Sequence, residues 1–190
     1  MNIEQYVMAY GVEHDRLRAL LPEGFESLRP VLRFNVEIRD GKNSYIEFNT
    51  AVAKDDKKGW LNIGRWNDIE FERYDKTVVF KNDFLEISFR KVGVEGSCPA
   101  EKDNEGCFFL GEETVFKPAE VVTVKKEFCD CAFTWRFTES DASGMSVGTT
   151  LPAVPVPIKN IYPREEFTVQ NAANIPCQQV LGSYVVNFER

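Results

Sequence analysis

Residues 30–54 read PVLRFNVEIRDGKNSYIEFNTAVAK, and this stretch decides the fold. In its first half Leu32, Phe34, Val36 and Ile38 alternate with Val31, Arg33, Asn35 and Glu37. A period of two places the two sets on opposite faces of a β-strand. Asp40-Gly41 then supplies a strong turn, because both residue types accept the positive φ that a tight hairpin demands. A second aromatic and β-branched run follows. Residues 31–39 and 43–53 are therefore expected to pair as a hairpin.

Working outward, Tyr6 to Tyr10 reads as a short aromatic strand. A helix signal comes next: His14-Asp15 can cap it, Leu17, Leu20 and Leu21 fall at i, i+3 and i+4, and Pro22 with Gly24 ends it. Downstream, 54–59 is a charged loop, and strands are expected at 60–66, 69–74, 77–80 and 84–92. Residues 95–106 break the pattern as a loop, and strand-like runs resume at 107–109, 118–124 and 128–137. Residues 149–163 hold four prolines, which lack a backbone donor and so exclude a central strand or a helix interior. Residues 180–188 form a closing strand. One helix with about ten strands predicts a mostly β, antiparallel domain, β-rich α+β in class, spanning 1–190 as a single unit.

The composition excludes several functions. A net charge of −7 with scattered basic residues argues against nucleic acid, which needs clustered Lys and Arg. No apolar run reaches the roughly 20 residues of a membrane-spanning helix, and the start Met1-Asn2-Ile3-Glu4-Gln5 does not read as a signal peptide. Five cysteines, an odd number, predict reduced thiols and a cytoplasmic address rather than a disulfide framework. Cys98, Cys107, Cys129 and Cys131 lack the Cys-x-x-Cys spacing of a zinc site, so buried thiols are the expectation. His14 is the only histidine, which rules out a multi-histidine metal site or a histidine-based triad as the main mechanism.

The run Asp15-Arg16-Leu17-Arg18-Ala19-Leu20-Leu21-Pro22-Glu23-Gly24-Phe25-Glu26, then Pro30-Val31-Leu32-Arg33-Phe34, Tyr45 two places before Glu47, and Trp60-Leu61-Asn62-Ile63-Gly64-Arg65-Trp66-Asn67-Asp68 form one pattern. Over residues 6–68 it resembles the acetoacetate decarboxylase family, and beyond that the likeness is weaker. The resemblance implies a cone- or barrel-like β fold with an interior pocket, a homo-oligomer, and an essential carboxylate at Glu47. In the family a lysine doublet follows; one lysine forms a Schiff base with the keto group and its neighbour depresses its pKa. Here Ile69-Glu70-Phe71-Glu72-Arg73-Tyr74-Asp75-Lys76 fills the gap, and the doublet's place falls at about Glu72-Arg73. An arginine stays protonated and cannot serve as the nucleophile. Ile3 stands where the family carries an arginine, and Asn35 where it carries a second glutamate.

The candidate site follows from these positions. Glu47 is the candidate catalytic carboxylate, sharing a strand face with Tyr45 and Asn49. Arg33, Asn35, Glu37 and Tyr45 are candidate substrate contacts, with Arg33 able to clamp a substrate carboxylate and to pair with Glu37. If the face is solvent, all are ordinary surface polar residues. Lys76, then Lys81, are the lysines nearest the doublet's place and could form a Schiff base if desolvated. The leading reading is a small carboxylate or keto-acid binder needing no cofactor and no metal. The alternatives are a Schiff-base lyase with a relocated lysine and a non-catalytic β assembly module.

Overall fold

The computed structural model describes residues 1–96, 107–111, 113–116, 125–137 and 162–189. In these, eleven strands form one sheet. In chain order they are β1 (Asn2–Gly11), β2 (Glu26–Arg39), β3 (Asn43–Lys54), β4 (Lys57–Asn67), β5 (Glu70–Tyr74), β6 (Thr77–Lys81), β7 (Leu85–Gly96), β8 (Cys107–Leu110), β9 (Glu113–Phe116), β10 (Lys126–Trp135) and β11 (Gln179–Glu189). Their order across the sheet is β5-β6-β7-β10-β11-β1-β2-β3-β4-β8-β9. Every pairing is antiparallel except β4 with β8.

The hairpin of residues 30–54 forms as expected, with Asn35 opposite Glu47 and Glu37 opposite Tyr45. Asp40 and Gly41 take φ of 49° and 69° at its turn. The expected charged loop at 54–59 is instead a turn at Asp55-Asp56, both at positive φ, between strands that run to Lys54 and from Lys57. The acidic side chains at these turns tolerate the left-handed region because they can bond their own backbone.

Two elements lay outside the expectation. A one-turn helix α2 (Val169–Ala173) opens where the Thr168 hydroxyl accepts from Asn171 N at 3.1 Å, so the described residues hold two helices rather than one. β9 is the other. Helix α1 (His14–Leu20) sits where the leucine spacing put it. Its N-cap is Glu13 rather than His14 or Asp15; the Tyr162 hydroxyl donates to Glu13 Oε2 at 2.5 Å, and His14 Nε2 lies 3.0 Å from Ser27 Oγ. The expected strand at 118–124 lies outside the described residues, as does the proline-rich stretch up to 161.

Side chains dictate the curl of the sheet. Even-numbered positions of the central strands (Tyr6, Met8, Tyr10, Leu32, Phe34, Val36, Ile46, Phe48) join Phe80, Ile87 and Phe89 in one buried cluster. Phe34 and Phe48 stack at 4.8 Å, and Phe48 meets Trp135 of β10 at 5.1 Å. β3 and β10 stand four ladders apart, which in a flat sheet would separate them by about 19 Å. The sheet therefore curls into a cone with these aromatics inside. Bulges at Ala9/Tyr10, between Ser27 and Leu32, at Phe48/Asn49 and at Glu127/Cys129 sharpen the bend.

Arg73 on edge strand β5 reaches Glu4 of β1, five ladders away, at 2.5 Å between Nη2 and Oε2. This contact ties one edge of the cone to its centre. Where β8 pairs with β4, a Cβ at Gly59 would fall 2.1 Å from the Cys107 carbonyl oxygen, so only glycine permits that approach.

Candidate functional site

The odd-numbered positions of β1–β3, with Trp60, Asn62 and Arg65 of β4, form the face opposite the aromatic cluster. Alternation alone would make it a solvent face, yet Glu47 is 3% exposed, Glu37 2% and Asn49 1%. Burying so many polar groups is costly unless they bond one another, and they do. The Tyr45 hydroxyl donates to Glu47 Oε1 at 2.6 Å. Asn35 Nδ2 and Asn49 Nδ2 each donate to Glu47 Oε2 at 3.4 Å. Asn62 Nδ2 donates to Asn49 Oδ1 and to the Gly64 carbonyl, both at 2.9 Å.

A second node adjoins the first. Arg39 bonds Glu37 through Nε at 2.9 Å and Nη2 at 2.8 Å, and its guanidinium lies 4.5 Å from the Tyr45 ring centre. Gln5 Nε2 reaches the other Glu37 oxygen at 3.4 Å. The expected pairing of Arg33 with Glu37 is thus replaced by Arg39 with Glu37. Arg33 instead stacks on Trp60, 4.4 Å from its ring centre, with Arg29 over the same ring at 5.7 Å.

The Tyr45 phenol is held well above its ordinary pKa, first by burial and then by the neighbouring Glu47 carboxylate; Arg65 and Arg39 oppose this. It therefore stays protonated at neutral pH and serves as a donor. On this face Arg33 Nε, Asn35 Oδ1 and Trp60 Nε1 have no hydrogen-bond partner among the described residues. Each is buried, so each is chemistry left open at the site.

Five of the sequence-derived site residues, Arg33, Asn35, Glu37, Tyr45 and Glu47, come together on this face. Lys76 does not join them. It is exposed in the turn between β5 and β6, and β5 is the far edge strand in the order. Lys81 is exposed at the end of β6, and no described lysine is buried. Lys102, Lys117 and Lys159 lie outside the described residues. Arg73, at the doublet's place, is engaged with Glu4.

Trp60, Asn62 and Arg65 were not identified as site residues from the sequence. A bulge at Ile63 explains this: Glu47 faces Arg65 and Asn49 faces Asn62, so residues three apart in β4 meet positions two apart in β3. Strict alternation would have separated them. Two open depressions, of about 410 Å³ beside Ile3 and Phe188 and about 430 Å³ beside Ser44 and Phe71, are not lined by Glu47. Cys107 and Cys129 are buried, Cys131 is half-buried and Cys177 exposed; no cluster of metal ligands occurs among the described residues. No helix among these residues is long and apolar enough to cross a membrane.

No family model and no curated protein matches the chain. Solved structures do. Acetoacetate decarboxylase from Legionella pneumophila is similar over 98% of this chain and 81% of its own, at TM-score 0.60 and 12% identity. The enduracididine biosynthesis enzyme MppR complexed with pyruvate is similar over 98% and 84%, at 0.59 and 12%. An acetoacetate decarboxylase-like enzyme from Sphingomonas wittichii RW1 is similar over 98% and 87%, at 0.57 and 10%. The curled sheet, its strand count and these matches along nearly the whole chain together give it the acetoacetate decarboxylase-like fold.

Proposed function

We propose that this protein binds a small carboxylate or keto acid on the buried polar face of β1–β4, with Arg33 receiving the acid's carboxylate. The observation that carries the proposal is the pair of buried donors, Arg33 Nε and Trp60 Nε1, with no hydrogen-bond partner among the described residues. A buried donor without a partner is costly, and a bound oxyanion removes that cost. Glu47, held by three donors, is the fixed polar contact against which such a ligand is oriented. One structurally similar enzyme is complexed with pyruvate, which supports the ligand class.

In this reading the protein is a diverged relative of the decarboxylases, works as a homo-oligomer in the cytoplasm, and uses no cofactor, nucleic acid or membrane. Decarboxylation through a Schiff base would require a desolvated lysine, and Lys76 and Lys81 are both exposed. Isothermal titration calorimetry with pyruvate and acetoacetate tests the binding. Arg33→Gln is expected to weaken it by about tenfold or more, the loss of one charge-assisted bond. Absence of binding by the unmodified chain to every small acid tried overturns the proposal. Borohydride reduction with the same acids, followed by peptide mapping, checks the lyase alternative; an adduct on Lys76, Lys81 or any other lysine would establish it in place of simple binding.

A further inference from the structure

Building on that reading, we infer that the acid held here carries a hydroxyl beside its carboxylate: the face is built for a 2-hydroxy acid rather than a 2-keto acid. The orientation of the Asn35 amide points to this. Glu47 Oε2 accepts from Asn35 at 3.4 Å. With Tyr45 and Asn49 donating to the same carboxylate, Asn35 must present its NH2 to Glu47 and turn its carbonyl oxygen away. That oxygen is buried and accepts nothing among the described residues.

Arg33 stands two residues earlier on the same strand face, about 7 Å along β2. Its buried Nε–H has no acceptor, and Trp60, stacked against it, has a buried N–H in the same condition. Donor and acceptor are neighbours on one face, complementary in kind, and do not bond each other. A ligand that joins them offers acceptor oxygens at the Arg33 and Trp60 end and a donor at the Asn35 end.

The remaining groups narrow the donor. Asn49 gives its NH2 to Glu47 and takes Asn62 on its oxygen. Tyr45 gives its hydroxyl to Glu47. One neutral acceptor, Asn35 Oδ1, therefore stands open, which matches the single O–H of a hydroxyl and not the three N–H groups of an ammonium. A keto oxygen has no hydrogen to give and would leave Asn35 Oδ1 buried and unpaired. At a site built to bond a hydroxyl, the analogue without it is rejected.

Calorimetric titration with both enantiomers of lactate, with pyruvate and with alanine tests this, since the three share a carbon skeleton. One lactate enantiomer is expected to bind about tenfold or more tightly than pyruvate, with alanine weaker than either. Asn35→Ala is expected to bring lactate and pyruvate to within about twofold of each other. Pyruvate binding as tightly as lactate, or a lactate preference that survives Asn35→Ala, overturns the inference while leaving acid binding in place. If no acid binds at all, the binding reading falls and this inference with it. Should Asn35→Ala fail to fold, the comparison on the unmodified chain decides alone.

Discussion

At the residue scale the Glu47 carboxylate is unusual in how it is kept. It lies on a strand whose other face is the aromatic core, so it cannot turn to water, and Asn35, Tyr45 and Asn49, from neighbouring strand positions, donate to it. The shortest of these bonds is from Tyr45, a phenol that burial and Glu47 together keep protonated. A bond of this kind to a buried acidic side chain contributes about 1.5–3 kcal/mol net if the carboxylate is charged, and less if it is neutral. Tyr45→Phe is accordingly expected to lower stability by about 1–3 kcal/mol in urea unfolding with an unchanged m-value. In a cycle with Glu47→Gln the two losses are expected to be non-additive by about 1 kcal/mol, and strict additivity would show that the bond contributes nothing. Arg33, Asn35, Glu37, Tyr45 and Glu47 were legible in the sequence because period-two alternation places them on one face whatever the rest of the chain does. That the face is buried was legible only through the family resemblance, since alternation gives sides and not what covers them. The Arg39–Glu37 pair was missed for a related reason. Arg39 lies at the strand end, where side chains reach back along the strand rather than straight out.

At the scale of elements, β5 shows most clearly where sequence and structure part. The sequence places a strand at 69–74, and the structure gives it five residues at a sheet edge, most of them exposed. Besides its ladder to β6, it is tied to β1 by Arg73 reaching Glu4, a contact across five ladders that no local pattern announces. Lys91 adds a second cation 3.8 Å from the same carboxylate, and the Tyr6 hydroxyl donates to it. Burial alone would raise the Glu4 pKa, but hydrogen bonds from Arg73 and Tyr6 and the charges of Arg73 and Lys91 outweigh it and hold the group below its ordinary value of about 4.5. A depressed acid pKa in the folded state means stability that is whole above the unfolded value and is lost as pH falls through the folded one. The Arg73 side chain is 45% exposed, so solvent screening keeps the pair's worth under about 1 kcal/mol. Arg73→Ala is expected to leave the urea midpoint at neutral pH nearly unchanged and to flatten its decline below about pH 4.5, while speeding amide exchange in β5. An unchanged acid limb would show that Glu4 is not held by Arg73. The bulge at Ile63 belongs to the same scale: one extra residue in β4 brings Asn62 and Trp60 into line with Asn49 and Arg33, and no sequence signal marks it.

At the scale of the whole molecule, one sheet builds two interiors with opposite chemistry. Even positions of β1–β3 pack rings against β6, β7 and β10, while odd positions bury carboxylates, amides and guanidinium groups. Each strand therefore couples a dry face to a polar one, and the curl of the sheet sets the geometry of both. Phe48 is where this coupling can be tested, because it stacks on Phe34, abuts Trp135 four ladders away, and stands next to Glu47 in the chain. It is fully buried. Phe48→Ala is expected to lower stability by about 3–5 kcal/mol, the cost of a lost ring and the cavity left behind. If curl and site are one structure, the same substitution also weakens binding of small acids at protein concentrations where the variant is fully folded, although the ring touches the opposite face. Phe89→Ala provides the control, since Phe89 packs on Tyr6 and Phe80 and lies on β7, away from the strands that carry the polar face. It is expected to cost comparable stability with a smaller loss of binding. Equal losses of binding from both substitutions would mean that affinity follows global stability alone, and that the polar face does not depend on how β3 is pinned to β10.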